Sequence, residues 1–209
     1  QKYLKEQGIN IRQNIGEAVP TVIFYQIASK IAKLTDVLYD EAKVMEEIRC
    51  HQLNDIGSII GYIRNNKGLG FVNLSKIAEY ANIMREDNEA FYTRQNICYT
   101  VIKKLPDATQ FKSLRILEPS VGVGNFLPCI IEKYKSVKDV TIDIVDIDKT
   151  SIDIVRELLT LVDIPKNIKI NYIVADSLLY DFPCRYDIVV GNPPYKKLIG
   201  SKRLLDLYK

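Results

Sequence analysis

Beyond Pro106 the chain changes its grammar, and that change limits the fold more than any other feature. Short apolar runs stand at 114-LRIL-117, 140-VTIDIV-145, 169-KINYIV-174 and 186-YDIVVG-191. Helical patterns separate them at 125-NFLPCIIEKY-134 and 149-KTSIDIVRELLTL-161. Strands that alternate with helices build βαβ units around a parallel sheet. Such sheets take their ligands at the carboxyl ends of the strands. The residues that follow the four runs are Glu118, Asp146, Asp176 and Asn192, and all four are polar.

Upstream the pattern is helical. Val22, Ile23, Tyr25, Ile27, Ile31 and Leu34 line one face of 21–34, and 36-DVLYDEAKVMEEIR-49 repeats the spacing. Asn54 or Asp55 caps a short helix through Ile63, 65-NNKGLG-70 forms a turn, and Asn73 or Ser75 caps 76-KIAEYANIMRE-86. The reading is a helical region over 1–88 followed by an α/β domain over 89–209. A net charge of +3 is compatible with a polyanionic partner but does not demand one. The four cysteines form no CxxC pair and His51 is the single histidine, so we expect reduced thiols, a cytoplasmic setting and no metal site. No apolar run approaches the ~20 residues of a membrane span, so no membrane partner is expected.

Each strand end carries a distinct loop. In 117-LEPSVGVGNF-126, Gly122 and Gly124 permit positive φ and close backbone approach ahead of a helix that begins near Asn125. A nicotinamide-cofactor loop usually carries a third glycine where this chain has Leu127. In the second loop an acid ending the strand suits the two hydroxyls of a ribose, and a second acid suits a helix cap; we assign the ribose to Asp146 and the cap to Asp148. Asp176 suits either an adenine amine or an Asx turn. The fourth loop, 192-NPPY-195, places two rigid imides between an amide and an aromatic ring.

In their order these motifs resemble the amino-methylating DNA methyltransferases that use S-adenosylmethionine. The resemblance covers roughly residues 91–195. The segment 91-FYTRQNICYTVIKKL-105 is similar to the cofactor-binding segment that precedes the sheet, 118-EPSVGVGNF-126 to the glycine loop, and 192-NPPY-195 to the catalytic tetrapeptide. With the Tyr-Thr segment first, the order is that of the γ subclass, which includes restriction–modification enzymes. The chain departs from the pattern at Arg94, where proline is common, at Val121, where Cys or Ala is usual, and at Ser177, where an aromatic often stacks on adenine.

The resemblance implies a Rossmann-like methyltransferase sheet and S-adenosylmethionine as cofactor. The amides around Gly122 and Gly124 would face its methionine part, with Thr93 closing over the cofactor and Glu118, Pro119 and Ser120 among its contacts. Asp146 would hold the ribose and Asp176 the adenine amine, with Ile147, Ser177 and Asn192 among the other cofactor contacts. Asn192 and the Pro193 carbonyl would accept the hydrogens of a target amine, with Pro194 stiffening the turn and Tyr195 stacking on a flipped base. The implied activity is methylation of adenine N6 in double-stranded DNA, because NPPY leans toward adenine. The implied partners are a restriction or specificity subunit, or further parts of the same protein. The short stretch after Tyr195 leads us to expect an N-terminal piece of a larger enzyme, and its lysines and arginine suit DNA phosphates. Alternatives with the same chemistry are methylation of RNA adenine or of a protein glutamine. Alternatives from other classes are a nicotinamide-dependent oxidoreductase and a catalytically silent specificity partner.

Overall fold

A computed structural model describes residues 39–82 and 92–193. The helix expected over 21–34, the residues Pro194 and Tyr195, and the basic stretch after them lie outside the described residues.

Three helices open the described chain: α1 (Glu41–Cys50), α2 (Ile56–Asn65) and α3 (Gly70–Ala81). Asp40 caps α1 through the Lys43 amide, and Asp55 caps α2 in a reciprocal box with Ser58. The start of α3 differs from the expected one. Gly70, at φ +72°, redirects the chain out of a short 3-10 turn over Lys67–Leu69, and the helix begins there rather than at Lys76. Asn73 and Ser75 are therefore interior, and their side chains bond back to the carbonyls of Leu69 and Val72.

After Thr93 come α4 (Gln95–Lys104), β1 (Ser113–Glu118), α5 (Leu127–Tyr134), β2 (Asp139–Asp146), α6 (Lys149–Leu158), β3 (Ile168–Val174) and β4 (Ile188–Val189). The helix expected from Asn125 begins two residues later, at Leu127, with Pro128 in its first turn, where a missing amide hydrogen costs no bond. All strand pairs are parallel and the order is β3-β2-β1-β4. Sequence neighbours run outward from β1 on one side, whereas β4 returns to its other side. The topological switch therefore falls between β1 and β4, where an open α/β sheet leaves a crevice beyond its carboxyl edge.

Two apolar clusters hold this arrangement. The larger joins Ile116, Ile142, Ile144 and Ile188 of the sheet to Cys98, Ile102, Leu127, Ile130, Tyr134 and Val155 of the helices. The smaller joins Ile59, Ile63, Leu74, Ile77 and Ala81 of the opening helices, with Leu53 between α1 and α2, to Val123, Ile154 and Leu158. Through that second cluster α3 packs on α6 and on the glycine loop itself. No described helix is long and apolar enough to cross a membrane.

Candidate active site

The loop after β1 is shaped by two glycines with different duties. Gly124 sits at φ +79°, and a Cβ there would lie 2.9 Å from Leu127 Cδ1 and 3.3 Å from Val155 Cγ1, so helix packing excludes one. Gly122 sits at φ +53° in more open space, where a Cβ would meet only Glu79 Oε2 at 3.6 Å. The Gly122 amide donates to Asp146 Oδ2 at 2.8 Å, and the Asp148 amide to Asp146 Oδ1 at 2.9 Å. Asp146 therefore ties the first loop to the second. Each carboxylate oxygen keeps a further acceptor site, and Asp146 is only half buried. Loss of water raises its pKa, and the backbone amides offset part of that rise. Beside it, the apolar Ile147 is 61% exposed.

Asp148 is the cap of α6, accepting from the Thr150 and Ser151 amides. It also accepts from Asn82 Nδ2 at 2.9 Å, which binds the end of α3 to this loop. The third loop turns on Asp176, whose carboxylate accepts from the Leu178 amide while its carbonyl accepts from those of Leu179 and Tyr180. Ser177 lies inside that turn.

Glu118 ends β1 with only 1% of its surface exposed, and its Oε2 has no hydrogen-bond partner. Burial first, and then the neighbouring Asp146 charge, push its carboxyl well above the usual range. Ser120 Oγ and Asn125 Oδ1 are likewise buried without partners. Buried polar atoms are rarely left unsatisfied, each costing about 1–3 kcal/mol. Three of them within 118–125 mark this loop as built for a polar ligand.

The fourth loop comes to the same place. A Cβ on Gly191 would stand 3.3 Å from Pro119 Cδ and 3.5 Å from Ser120 Oγ, so the two loops pass in close contact and a side chain there would press on Pro119. The next residue, Asn192, donates its side-chain amide to Thr93 Oγ1 at 3.1 Å. Thr93 is 8% exposed and immediately precedes α4, while Gln95 Nε2 reaches the Asn125 carbonyl at 3.2 Å. The Tyr-Thr segment thus bridges the first and fourth loops. Thr93, Glu118, Pro119, Ser120, Gly122, Asp146, Gly191 and Asn192 are brought together. Pro193 follows directly, and Pro194 and Tyr195 lie outside the described residues.

The sequence reading missed one residue here. Glu79 of α3 is 6% exposed and faces Gly122. A signal for it exists: Ser75 and Glu79 of α3 and Asn82 at its end recur at helical spacing and form a buried polar line beside the apolar face of the helix.

A parallel sheet with this switch point, a twin-glycine loop, an acid closing the second strand and, among the described residues, acidic and acceptor side chains around them defines a Rossmann-like site. It suits a nucleoside-bearing cation such as S-adenosylmethionine. The description "N-6 DNA Methylase" belongs to a family model that matches residues 72–206, well over half of the chain. The chain belongs to that family. Among characterised relatives, the type II methyltransferase M.CvrRI of Paramecium bursaria Chlorella virus XZ-6E is 32% identical over 111 residues, spanning 53% of this chain and 25% of that protein. The type II methyltransferase M.AccI of Acinetobacter calcoaceticus is 27% identical over 107 residues, 51% of this chain and 18% of that protein. The matches therefore cover about half of this chain and no more than a quarter of the relatives' length. A solved type I restriction–modification methyltransferase subunit from Streptococcus thermophilus superposes with a TM-score of 0.45 at 20% identity, covering 64% of this chain and 30% of that one.

Proposed function

We propose that this chain carries the cofactor-binding and catalytic core of a DNA methyltransferase that transfers a methyl group from S-adenosylmethionine to N6 of adenine. The observation that carries the reading is the Asn192–Thr93 contact at the β1/β4 switch point. An aromatic amine is a weak nucleophile because its lone pair is shared with the ring. An acceptor on its hydrogens draws the lone pair back onto nitrogen. Thr93 accepts from the NH2 group of the Asn192 amide, and in this reading Asn192 Oδ1 serves the target amine as that acceptor. The Pro193 carbonyl follows as the second acceptor. Neither group is a base; they orient the amine and stabilise the positive charge that develops on it, and the surplus proton leaves to water.

When bound, S-adenosylmethionine supplies an electrophilic methyl on a sulfonium centre. Glu118, Ser120 and Asn125 would hold its amino-acid end, Asp146 the ribose hydroxyls, and Ile147 and Asp176 the adenine. The donor set itself argues against the nicotinamide alternative. A pyrophosphate at this loop would face the acidic side chains of Glu79 and Asp146 beside Gly122, acceptors against acceptors. Double-stranded DNA is the proposed macromolecular substrate, and a specificity or restriction subunit the proposed partner in a restriction–modification system. We assign the helical region to 1–88 and the catalytic domain to 89–209.

Calorimetric titration with S-adenosylmethionine, and separately with NAD, tests the cofactor. We expect saturable binding of the first alone, weakened in Asp146→Ala. Binding of NAD instead overturns the reading. Labelled methyl recovered as N6-methyladenine after incubation with duplex DNA supports the substrate; label on RNA or on protein glutamine replaces it.

A further inference from the structure

Helix α3 lies across both cofactor loops, although it precedes the sheet in the chain. Its Glu79 faces the glycine loop, with Oε2 at 3.6 Å from the Cβ position of Gly122. One turn on, Asn82 reaches Asp148 of the second loop at 2.9 Å and Ser151 at 3.2 Å. One turn back, Ser75 is hydrogen-bonded to the Tyr92 hydroxyl, which also lies within range of the Glu79 charge. Tyr92 adjoins Thr93, so the same helix touches the segment that orients Asn192. Leu74, Ile77, Ala78 and Ala81, all buried, hold α3 in this position against Val123, Ile154 and Leu158.

Resting on the methyltransferase reading, we propose that Glu79 is a cofactor-binding residue: it and Glu118 receive the α-ammonium group of the amino-acid part of S-adenosylmethionine. Two carboxylates from different elements meet at one glycine loop, and both are nine-tenths buried or more. Glu118 Oε2 has no hydrogen-bond partner among the described residues and marks the ligand side of the loop. Gly122 carries no side chain between Glu79 and the loop, so an ammonium there can approach both acids. An ammonium has three donors and no acceptor, which suits a site with spare acceptors at Glu118, Ser120 and Asn125. On this account the helical region is part of the cofactor site as well as a support for the sheet. It also explains why a loop with only two glycines selects its ligand: the selecting charge comes from a helix forty residues upstream of the motif.

The test is calorimetric titration of wild type, Glu79→Gln and Glu79→Asp with three ligands. S-adenosylmethionine carries ammonium and sulfonium charges, S-adenosylhomocysteine carries the ammonium without the sulfonium, and 5′-methylthioadenosine lacks the amino-acid part. Glu79→Gln should bind the first two tenfold to roughly a hundredfold more weakly, the effect of one lost charge-assisted hydrogen bond, and the third within about twofold. Glu79→Asp keeps the charge on a shorter arm and should show a smaller loss confined to the same two ligands. Its behaviour decides the matter if the Gln variant does not fold by circular dichroism. Equal weakening of all three ligands assigns Glu79 to the fold and overturns the proposal. A loss for S-adenosylmethionine alone makes the sulfonium its target and overturns it too, as does wild-type affinity throughout. Failure of wild type to bind S-adenosylmethionine is a different result, and it removes the methyltransferase reading together with this one.

Discussion

Replacing Gly124 by alanine should unfold the protein more readily than the same change at Gly122, although the two glycines are equivalent in the motif. At Gly124 the backbone has φ +79°, and a new Cβ would stand 2.9 Å from Leu127 Cδ1, 3.3 Å from Val155 Cγ1 and 3.4 Å from Val155 Cγ2. Both neighbours are completely buried, so neither can swing into water. Left-handed backbone costs a non-glycine residue about 1–2 kcal/mol, and overpacking a closed core adds about 1–3 kcal/mol. The expected loss is therefore about 2–5 kcal/mol, or roughly 5–15 °C in Tm for a chain of this size. At Gly122, φ is +53° and the one near atom is Glu79 Oε2 at 3.6 Å, an ordinary contact. That change should cost about 1 kcal/mol of backbone strain. Its methyl group would stand between Glu79 and the loop, so cofactor affinity should fall instead. Thermal melts followed by circular dichroism, paired with calorimetric titration, separate the two effects. A Gly122→Ala variant as destabilised as Gly124→Ala would refute the division of duties between them.

Thr93→Val removes the oxygen that holds the Asn192 amide, and we expect methyl transfer to slow about tenfold or more, with S-adenosylmethionine affinity changed much less. Thr93→Ser, which keeps the hydroxyl, should restore the rate. Asp148→Ala removes the α6 cap and the tie to Asn82, for a stability loss of about 1–2 kcal/mol in urea denaturation. Although burial opposes it, hydrogen bonds from Asn82, Ser151 and the Thr150 and Ser151 amides depress the Asp148 pKa. Its stabilising effect is thus complete above the ordinary aspartate pKa and fades as pH falls through the lowered one, so the Asp148→Asn variant should lack that acid-side decline. Glu118 has the opposite sign: its raised pKa makes the folded state bind the extra proton, so stability grows as pH drops from above that pKa toward the ordinary glutamate value. Glu118→Gln should accordingly raise Tm at neutral pH while weakening S-adenosylmethionine binding; a lowered Tm would contradict the unpartnered carboxyl.

Local rules were enough for much of the fold. Runs of Val and Ile flanked by amphipathic helices could become little except buried parallel strands, and all four strands formed where those runs lie. Asp148 was legible as a cap because a helix start needs an acceptor within three residues, and it accepts from Thr150 and Ser151. Where local signals competed, they misled. Asn73 and Ser75 have the chemistry of caps, yet Gly70 starts the helix before them and their side chains turn back to helix carbonyls instead. Asn125 likewise stands two residues ahead of its helix, leaving its Oδ1 in the loop.

The candidate site residues of the four loops, then, were legible in the sequence, because each of those loops follows a strand whose end is set by local pattern. Which of them meet was decided by tertiary structure. Strand order β3-β2-β1-β4 is a matter of how helices cover the sheet, and it alone places Asn192 beside the loop that begins at Glu118. The bond from Asn192 to Thr93 spans 99 residues. Glu79 carries no motif at all: it reaches Gly122 because α3 buries its apolar face against α6. Contacts between elements distant in the chain depend on packing of whole surfaces, and no short window of sequence contains both sides of such a contact.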